Sequence, residues 1–212
     1  ARILYLKTNL WFGVKAGGSV GHVAGVVNGF IRRGYDVDFA AAEAPVLTSP
    51  RVRFLPVRPP SAYGLPGEVN LYRFHETFVR QVRSAASTTR YAFLYQRLSI
   101  ANYAGAVLAP RLGIPLVVEY NGSEAWIQRH WGNALRYHDL AVAAEEACLR
   151  RADLLVTVSE VLRDELRERG VDPRRVVCYP NCIDPATFDP ARFSEAERDR
   201  LRRRIGASAD TV

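Results

Sequence analysis

The sequence predicts an α/β chain built on a doubly wound, mainly parallel sheet of about seven strands, with helices on both faces. Three observations carry this expectation. Short apolar runs of strand length alternate with longer segments of helical periodicity along most of the chain. Glycines stand where helical segments must stop in a left-handed cap, at Gly34, Gly113 and Gly170. The 212 residues are 48% apolar, enough for one sizeable core and too apolar for a disordered chain.

The elements follow in order. Ile3-Leu4-Tyr5-Leu6 reads as a buried first strand, and a loop from Thr8 to Gly17 holds Trp11, Phe12 and Gly13. A helix is expected from Gly18 to Arg33, because Val20, Val23, Val26, Val27 and Phe30 recur at helical spacing. Val37-Asp38-Phe39-Ala40 and Val52-Arg53-Phe54-Leu55 read as the second and third strands, and the proline-rich stretch from Pro56 to Pro66 as loop. Leu71, Phe74, Phe78 and Val82 mark an amphipathic helix whose other face carries Arg73, Arg80 and Arg83. Ala92 to Tyr95 is a fourth strand, Ile100 to Leu112 a helix, and Pro115 to Glu119 a fifth strand. Helical patterns then cover Glu124 to Trp131 and Tyr137 to Arg151. Leu154 to Val158 is a sixth strand, Ser159 caps a helix to Arg169, and Arg175 to Cys178 is a seventh strand. Asp184 to Pro190 reads as a turn and Ser194 to Ile205 as a polar helix rich in arginine. Asp210-Thr211-Val212 fits the start of another strand, so the chain reads as cut at a domain boundary. Residues 1–190 form the expected domain, and 191–212 a polar helix and linker.

The charge is +7, and 27 of the 29 basic residues are arginine, only Lys7 and Lys15 being lysine. A solvated, compositionally biased surface is the preferred reading, with affinity for phosphate, anionic lipid or nucleic acid as the sharper one. No nucleic-acid motif accompanies the charge, so no nucleic-acid partner is expected. Cys148, Cys178 and Cys182 are odd in number and lack CxxC spacing, which points to reduced thiols in a cytoplasmic protein. No uncharged apolar stretch is long enough for a transmembrane helix. His22, His75, His130 and His138 form no metal-ligand pair, so no metal is expected.

The chemistry is expected at the carboxyl ends of the strands. Between the first strand and first helix lies Gly13-Val14-Lys15-Ala16-Gly17-Gly18-Ser19-Val20-Gly21-His22. Its glycines admit a close ligand, and the helix start adds free N–H groups and partial positive charge. Lys15, Gly17, Gly18 and Ser19 therefore read as a phosphate site, with a plain glycine turn as the alternative. The loop is neither a Walker A motif nor GxGxxG. Gln96 and Arg97 end the fourth strand, while Glu119, Asn121 and Gly122 end the fifth; all are candidates to line the crevice, and an Arg97–Glu119 ion pair is the structural alternative. His22 is the histidine nearest the glycine loop. Asn121-Gly122-Ser123 also matches a glycosylation sequon and an ordinary turn.

Taken in order, these pieces resemble the N-terminal domain of a family-4 (group 1) glycosyltransferase. Gly17-Gly18-Ser19-Val20-Gly21-His22 with Arg33-Gly34-Tyr35-Asp36-Val37 is similar to the family's GGxxxH…rGhxV opening. Tyr95-Gln96-Arg97 and Gly113-Ile114-Pro115 through Glu119-Tyr120-Asn121 resemble a Y-x-R and giPxvxExN branch. Ala152-Asp153 through Val158-Ser159-Glu160 and Pro180-Asn181-Cys182-Ile183-Asp184 with Phe188 resemble its aDxxxtvSe and PNGVDxxxF segments, Cys182 replacing the usual Gly. The resemblance implies a Rossmann-like half of a GT-B enzyme that moves a hexose from a nucleoside-diphosphate sugar to a glycan, lipid-linked or small-molecule acceptor, as in polysaccharide biosynthesis. No cofactor is implied. Lys15 to Ser19 would touch the diphosphate; His22, Gln96, Arg97, Glu119, Asn121 and Gly122 would line the acceptor side; Ser159 and Asn181 would face the interdomain cleft. Where many members carry His, this chain has Asn121, which fits a retaining mechanism; Asn121 and Glu119 are the catalytic candidates. The second domain that the resemblance implies is not in the sequence, so this half alone is expected to transfer sugar poorly. The Arg73/Arg80/Arg83 face is read as solvated, or as a peripheral contact with an anionic membrane. The alternatives are an NAD(P)-dependent oxidoreductase using Glu43, a sugar-nucleotide epimerase of the same fold, and a non-catalytic binding module.

Overall fold

The structure, a computed structural model, describes residues 1–10, 13–60, 64 and 66–208. Trp11, Phe12 and the strand expected at 210–212 lie outside the described residues. The strands are β1 (Arg2–Lys7), β2 (Asp36–Ala41), β3 (Arg53–Pro56), β4 (Phe93–Arg97), β5 (Leu116–Tyr120), β6 (Leu154–Thr157) and β7 (Val176–Cys178). They form one sheet in the order β3-β2-β1-β4-β5-β6-β7, and every neighbouring pair is parallel. The chain winds outward from β1 to β3, then restarts at β4 on the other side of β1. That reversal opens a crevice at the carboxyl ends of β1 and β4.

The helices are α1 (Gly18–Arg32), α2 (Val69–Ala86), α3 (Ala104–Leu112), α4 (Glu124–Trp131), α5 (His138–Arg151), α6 (Glu160–Glu168), α7 (Pro185–Phe188) and α8 (Glu195–Ile205). Strand residues alternate between two cores. On one face Val23, Val27 and Ile31 of α1 close over Ile3, Tyr5, Phe39 and Tyr95. There the Tyr5 ring stacks between Phe39 and Tyr95, at centroid distances of 5.0 and 5.1 Å, because these three residues share one register across β2, β1 and β4. On the other face Phe74, Phe78 and Val82 of α2, Leu108 of α3 and Leu149 of α5 cover Leu4, Leu6, Leu94 and Val118. Among the described residues no helix is long and apolar enough to cross a membrane.

Two elements differ from expectation. The helix expected from Ile100 starts at Ala104, because Ala101 adopts φ 55° and Asn102 instead accepts the Ala104 N–H at 3.1 Å. The expected turn after Asp184 contains α7, with Asp184 accepting the Ala186 N–H and Pro185 opening the helix. Asp184 also clamps this segment to α1: it accepts from Asn28 Nδ2 at 2.7 Å and from Arg32 Nη1 at 2.9 Å. The approach is close. A Cβ on Gly25 would lie 3.1 Å from the Cys182 carbonyl oxygen, so only glycine fits without displacing the backbone.

Candidate functional site

A cavity of about 420 Å³ opens at the carboxyl ends of β4 and β5. Gly18, Ser19 and His22 of α1 line it, with Arg97 from β4, Asn121 after β5, and Asn181 beside the clamped segment. Residues as far apart in sequence as Gly18 and Asn181 thus meet beside the fold's switch point.

Beneath the cavity lies Glu119, fully buried. Its Oε1 accepts from His22 Nε2 at 3.1 Å, Arg97 Nη1 at 2.8 Å and Asn121 Nδ2 at 2.6 Å. Its Oε2 accepts the Tyr95 hydroxyl at 2.7 Å. Burial alone pushes the carboxyl up, but the His22 hydrogen bond, the Arg97 charge and the Tyr95 hydroxyl outweigh it and hold it at about 2. Glu119 is therefore an ionised anchor with its acceptor sites filled. The structure contains both the Arg97–Glu119 pair and the crevice, and the pair holds Arg97 in place beside the crevice.

His22 is fixed at both nitrogens. The Cys182 N–H donates to Nδ1 at 3.2 Å, which places the ring proton on Nε2, toward Glu119. Neither nitrogen is left to exchange a proton with a ligand. Asn121 spends one N–H on Glu119, and its Oδ1 has no hydrogen bond among the described residues.

The start of α1 supplies donors. Gly17 sits at φ 112°, a conformation suited to glycine, and no side chain caps the helix. The Gly17 carbonyl accepts the Val20 and Gly21 N–H groups, both at 3.1 Å. The Gly18 and Ser19 N–H groups remain without partners among the described residues, at the positive end of the helix.

Not every expected site residue gathers here. Lys15 is exposed and, with Gly17, stands outside the cavity lining. Gln96 belongs to the opposite face: it is buried, donates to the Asn102 carbonyl at 2.9 Å and accepts the Gly105 N–H, so it organises the start of α3 and does not line the crevice. Strand alternation explains this, since Gln96 pairs with Val118 while Arg97 pairs with Glu119. Gly122 borders a second cavity, next to α4. Ser159 accepts the Leu162 N–H as the cap of α6. Glu43, the acid a dinucleotide reading needs, has both oxygens on the Gly13 N–H, at 3.0 and 2.9 Å. His75 is packed, stacked on Tyr103 at 3.9 Å.

Three residues escaped the sequence reading. Tyr95 reads in the sequence as a strand residue and the first residue of the Y-x-R resemblance, without a site role; burial and the Glu119 charge keep its hydroxyl protonated as a donor. Cys182 supplies the N–H that fixes His22. Glu124 opens α4 and its carboxylate accepts no hydrogen bond among the described residues; burial lifts it to about 7, against the Arg97 charge and with help from Glu145. A lone acid at a helix start reads as dipole compensation, so no sequence signal marked it.

The sequence profile of Glycosyltransferase Family 4 matches residues 16–187. A search of curated protein sequences found no match. Among solved structures, sucrose-phosphate synthase from Thermosynechococcus elongatus superposes with a TM-score of 0.66 at 17% identity, over 99% of this chain and 53% of that one. Anabaena Alr3699/HepE, solved in complex with UDP and glucose, gives 0.62 at 17% identity, over 96% and 50%. UDP-N-acetylglucosamine 2-epimerase from Rickettsia bellii gives 0.61 at 11% identity, over 98% and 51%. At these identities the likeness is one of fold, a Rossmann-like sheet matching one half of GT-B enzymes, and the chain spans about half the length of these neighbours. With 172 consecutive residues inside the profile, Gly17 to His22, the Glu119 cluster and Asn181 included, the chain belongs to glycosyltransferase family 4.

Proposed function

We propose that this chain forms the acceptor-side half of a site that transfers a hexose from a nucleoside-diphosphate sugar to a glycan, lipid-linked or small-molecule acceptor, with retention at the anomeric carbon. The observation that carries the reading is the convergence of the Gly18 and Ser19 N–H groups, Arg97 and Asn121 on one cavity. A diphosphate needs oriented donors and positive charge, and both are supplied there by groups already fixed in place. Lys15, exposed on the loop before α1, and Asn181 at the cavity edge are assigned to the same diphosphate. Retention is supported by the state of the acids and bases. Glu119 is ionised and saturated, and His22 is engaged at both nitrogens, so neither can take the acceptor's proton. Within this cavity the departing phosphate is the base that remains. HepE's complex with UDP and glucose supports the donor class. The epimerase neighbour shares the sugar-nucleotide chemistry, but the family match favours transfer.

The test is a titration with UDP, GDP, ADP and NAD, followed through the backbone amide signals of Gly18 and Ser19. A nucleoside diphosphate should shift both, and Arg97→Lys and Gly18→Val should each weaken binding about tenfold, roughly 1.4 kcal/mol. Binding of NAD alone, or diphosphate binding indifferent to both substitutions, overturns the reading.

A further inference from the structure

A second cavity, of about 540 Å³, lies between α4 and α6, and Asn121 borders both it and the first cavity. Its walls are the indoles of Trp126 and Trp131 with Ile127 and Leu162; Glu165 and Arg169 add charge. The tryptophans are not core residues: Trp126 is 47% exposed and Trp131 78%. They are nonetheless arranged. The rings meet edge to face at 5.2 Å and 82°. His130 stacks on Trp126 at 4.1 Å, held there by donating from Nδ1 to the Trp126 carbonyl at 2.8 Å. The polar groups are sorted too. Arg169 is spent on Tyr120, Glu145 and Glu146 and lies 3.6 Å from Glu165 Oε1, which also accepts the Tyr120 hydroxyl; Glu165 Oε2 has no hydrogen bond among the described residues.

We propose that this cavity is the acceptor-sugar subsite, where a pyranose ring lies against one of the paired indoles of Trp126 and Trp131, with the other at its edge, and its hydroxyls reach Glu165 Oε2 and Asn121 Oδ1. The proposal rests on the transferase reading above for its role but not for its binding chemistry. A pyranose has one face of C–H groups carrying partial positive charge, and an indole face is negative, so the two attract as a cation and an aromatic ring do. The hydroxyls around the ring need acceptors, and the two unpaired oxygens provide them. The volume falls in the range of small-molecule sites. Asn121, shared by both cavities, puts a sugar bound here next to the cavity assigned to the diphosphate. An anionic bilayer is the competing occupant of exposed tryptophans, and vesicles are therefore one arm of the test.

The chain has three tryptophans, so a Trp11→Phe background leaves only the two indoles of α4. Their Nε1–H signals are followed during titration with the methyl pyranosides of glucose, galactose, mannose and N-acetylglucosamine, each to about 100 mM, and with phosphatidylglycerol vesicles. At least one pyranoside should shift both indoles saturably in the millimolar range. Trp131→Ala, a change at an exposed side chain, should raise its Kd about tenfold while leaving the UDP shifts at Gly18 and Ser19 untouched. No response to any pyranoside, a response that survives Trp131→Ala, or a response to vesicles alone overturns the proposal. If a pyranoside binds at the indoles and no nucleotide binds at Gly18, the subsite stands and the transferase reading falls. If UDP binds and no pyranoside does, only the subsite falls.

Discussion

Replacing Glu119 by Gln keeps the shape of the side chain and removes its charge. The cost can be reached by two routes. The folded carboxyl lies at about 2 against an ordinary 4.5, and at 1.36 kcal/mol per pH unit that difference corresponds to about 3 kcal/mol of stability near pH 7. Independently, removing one partner from a buried ion pair costs roughly 3–5 kcal/mol. The routes overlap at about 3 kcal/mol, because Glu119 is fully buried and Arg97 is only 18% exposed, so little solvent screens the pair. Urea unfolding reads this directly: with a slope of about 2–3 kcal/mol/M for a chain of this size, the midpoint should drop by roughly 1 M. The pH dependence supplies the sharper check. A carboxyl depressed in the folded state contributes its full stability above the unfolded value, and loses it as pH falls toward the folded one. The gap between wild type and Glu119→Gln should therefore be whole at pH 7 and shrink to about 1–2 kcal/mol at pH 3. A gap under about 1 kcal/mol at pH 7 would refute the anchor assignment, as would a gap that does not change with pH.

Two further outcomes follow from the same structure. Glu124 has the opposite sign: its folded value of about 7 lies above the ordinary 4.5, so the wild type should lose stability as pH rises through that interval, and Glu124→Gln should be more stable at pH 8 by about 1–3 kcal/mol yet nearly equal at pH 5, as read from unfolding midpoints. On α1, Gly25→Ala would press against the Cys182 and Ile183 backbone and should cost about 1–3 kcal/mol, whereas Gly29→Ala, with nothing within 4 Å, should stabilise by about 0.5–1 kcal/mol; equal effects at the two sites in thermal unfolding would sink the close-approach argument.

The sheet was legible because its signals are local. Runs such as Ile3 to Leu6 bury both faces, and the glycines expected as stops do adopt left-handed φ, 83° at Gly34, 66° at Gly113 and 80° at Gly170. Ser159 and Ser194 cap their helices as their residue type invites. Arg97 and Glu119 could be paired from sequence because both end neighbouring strands. The same alternation puts Gln96 on the opposite face from Arg97, away from the crevice. The early start assigned to α3 failed because Ile100 to Tyr103 looks helical, and tertiary hydrogen bonds from Gln96 and Asn102 decide the local conformation instead. What no local pattern could give is the closure of the site. Cys182 reaches His22 across 160 positions and Asp184 reaches Asn28 across 156, and these contacts exist only once the sheet has formed.

That closure also decides what the crevice can do. The residues the sequence offered as acid and base, Glu119 and His22, are bound to each other and to their surroundings, while the groups facing the cavity are donors: two helix N–H groups, Arg97 and Asn121. Such a set favours negative charge and has no fixed group to accept a proton. A substitution that freed a base there, such as His22 released from the Cys182 N–H, would therefore have to loosen the contact that carries Asn181 to the cavity edge. Positioning and basicity oppose each other at His22, and the observed geometry gives the residue to positioning. For the proposed transfer this assignment would leave the first cavity an electrostatic role, with the proton passing to a group outside it.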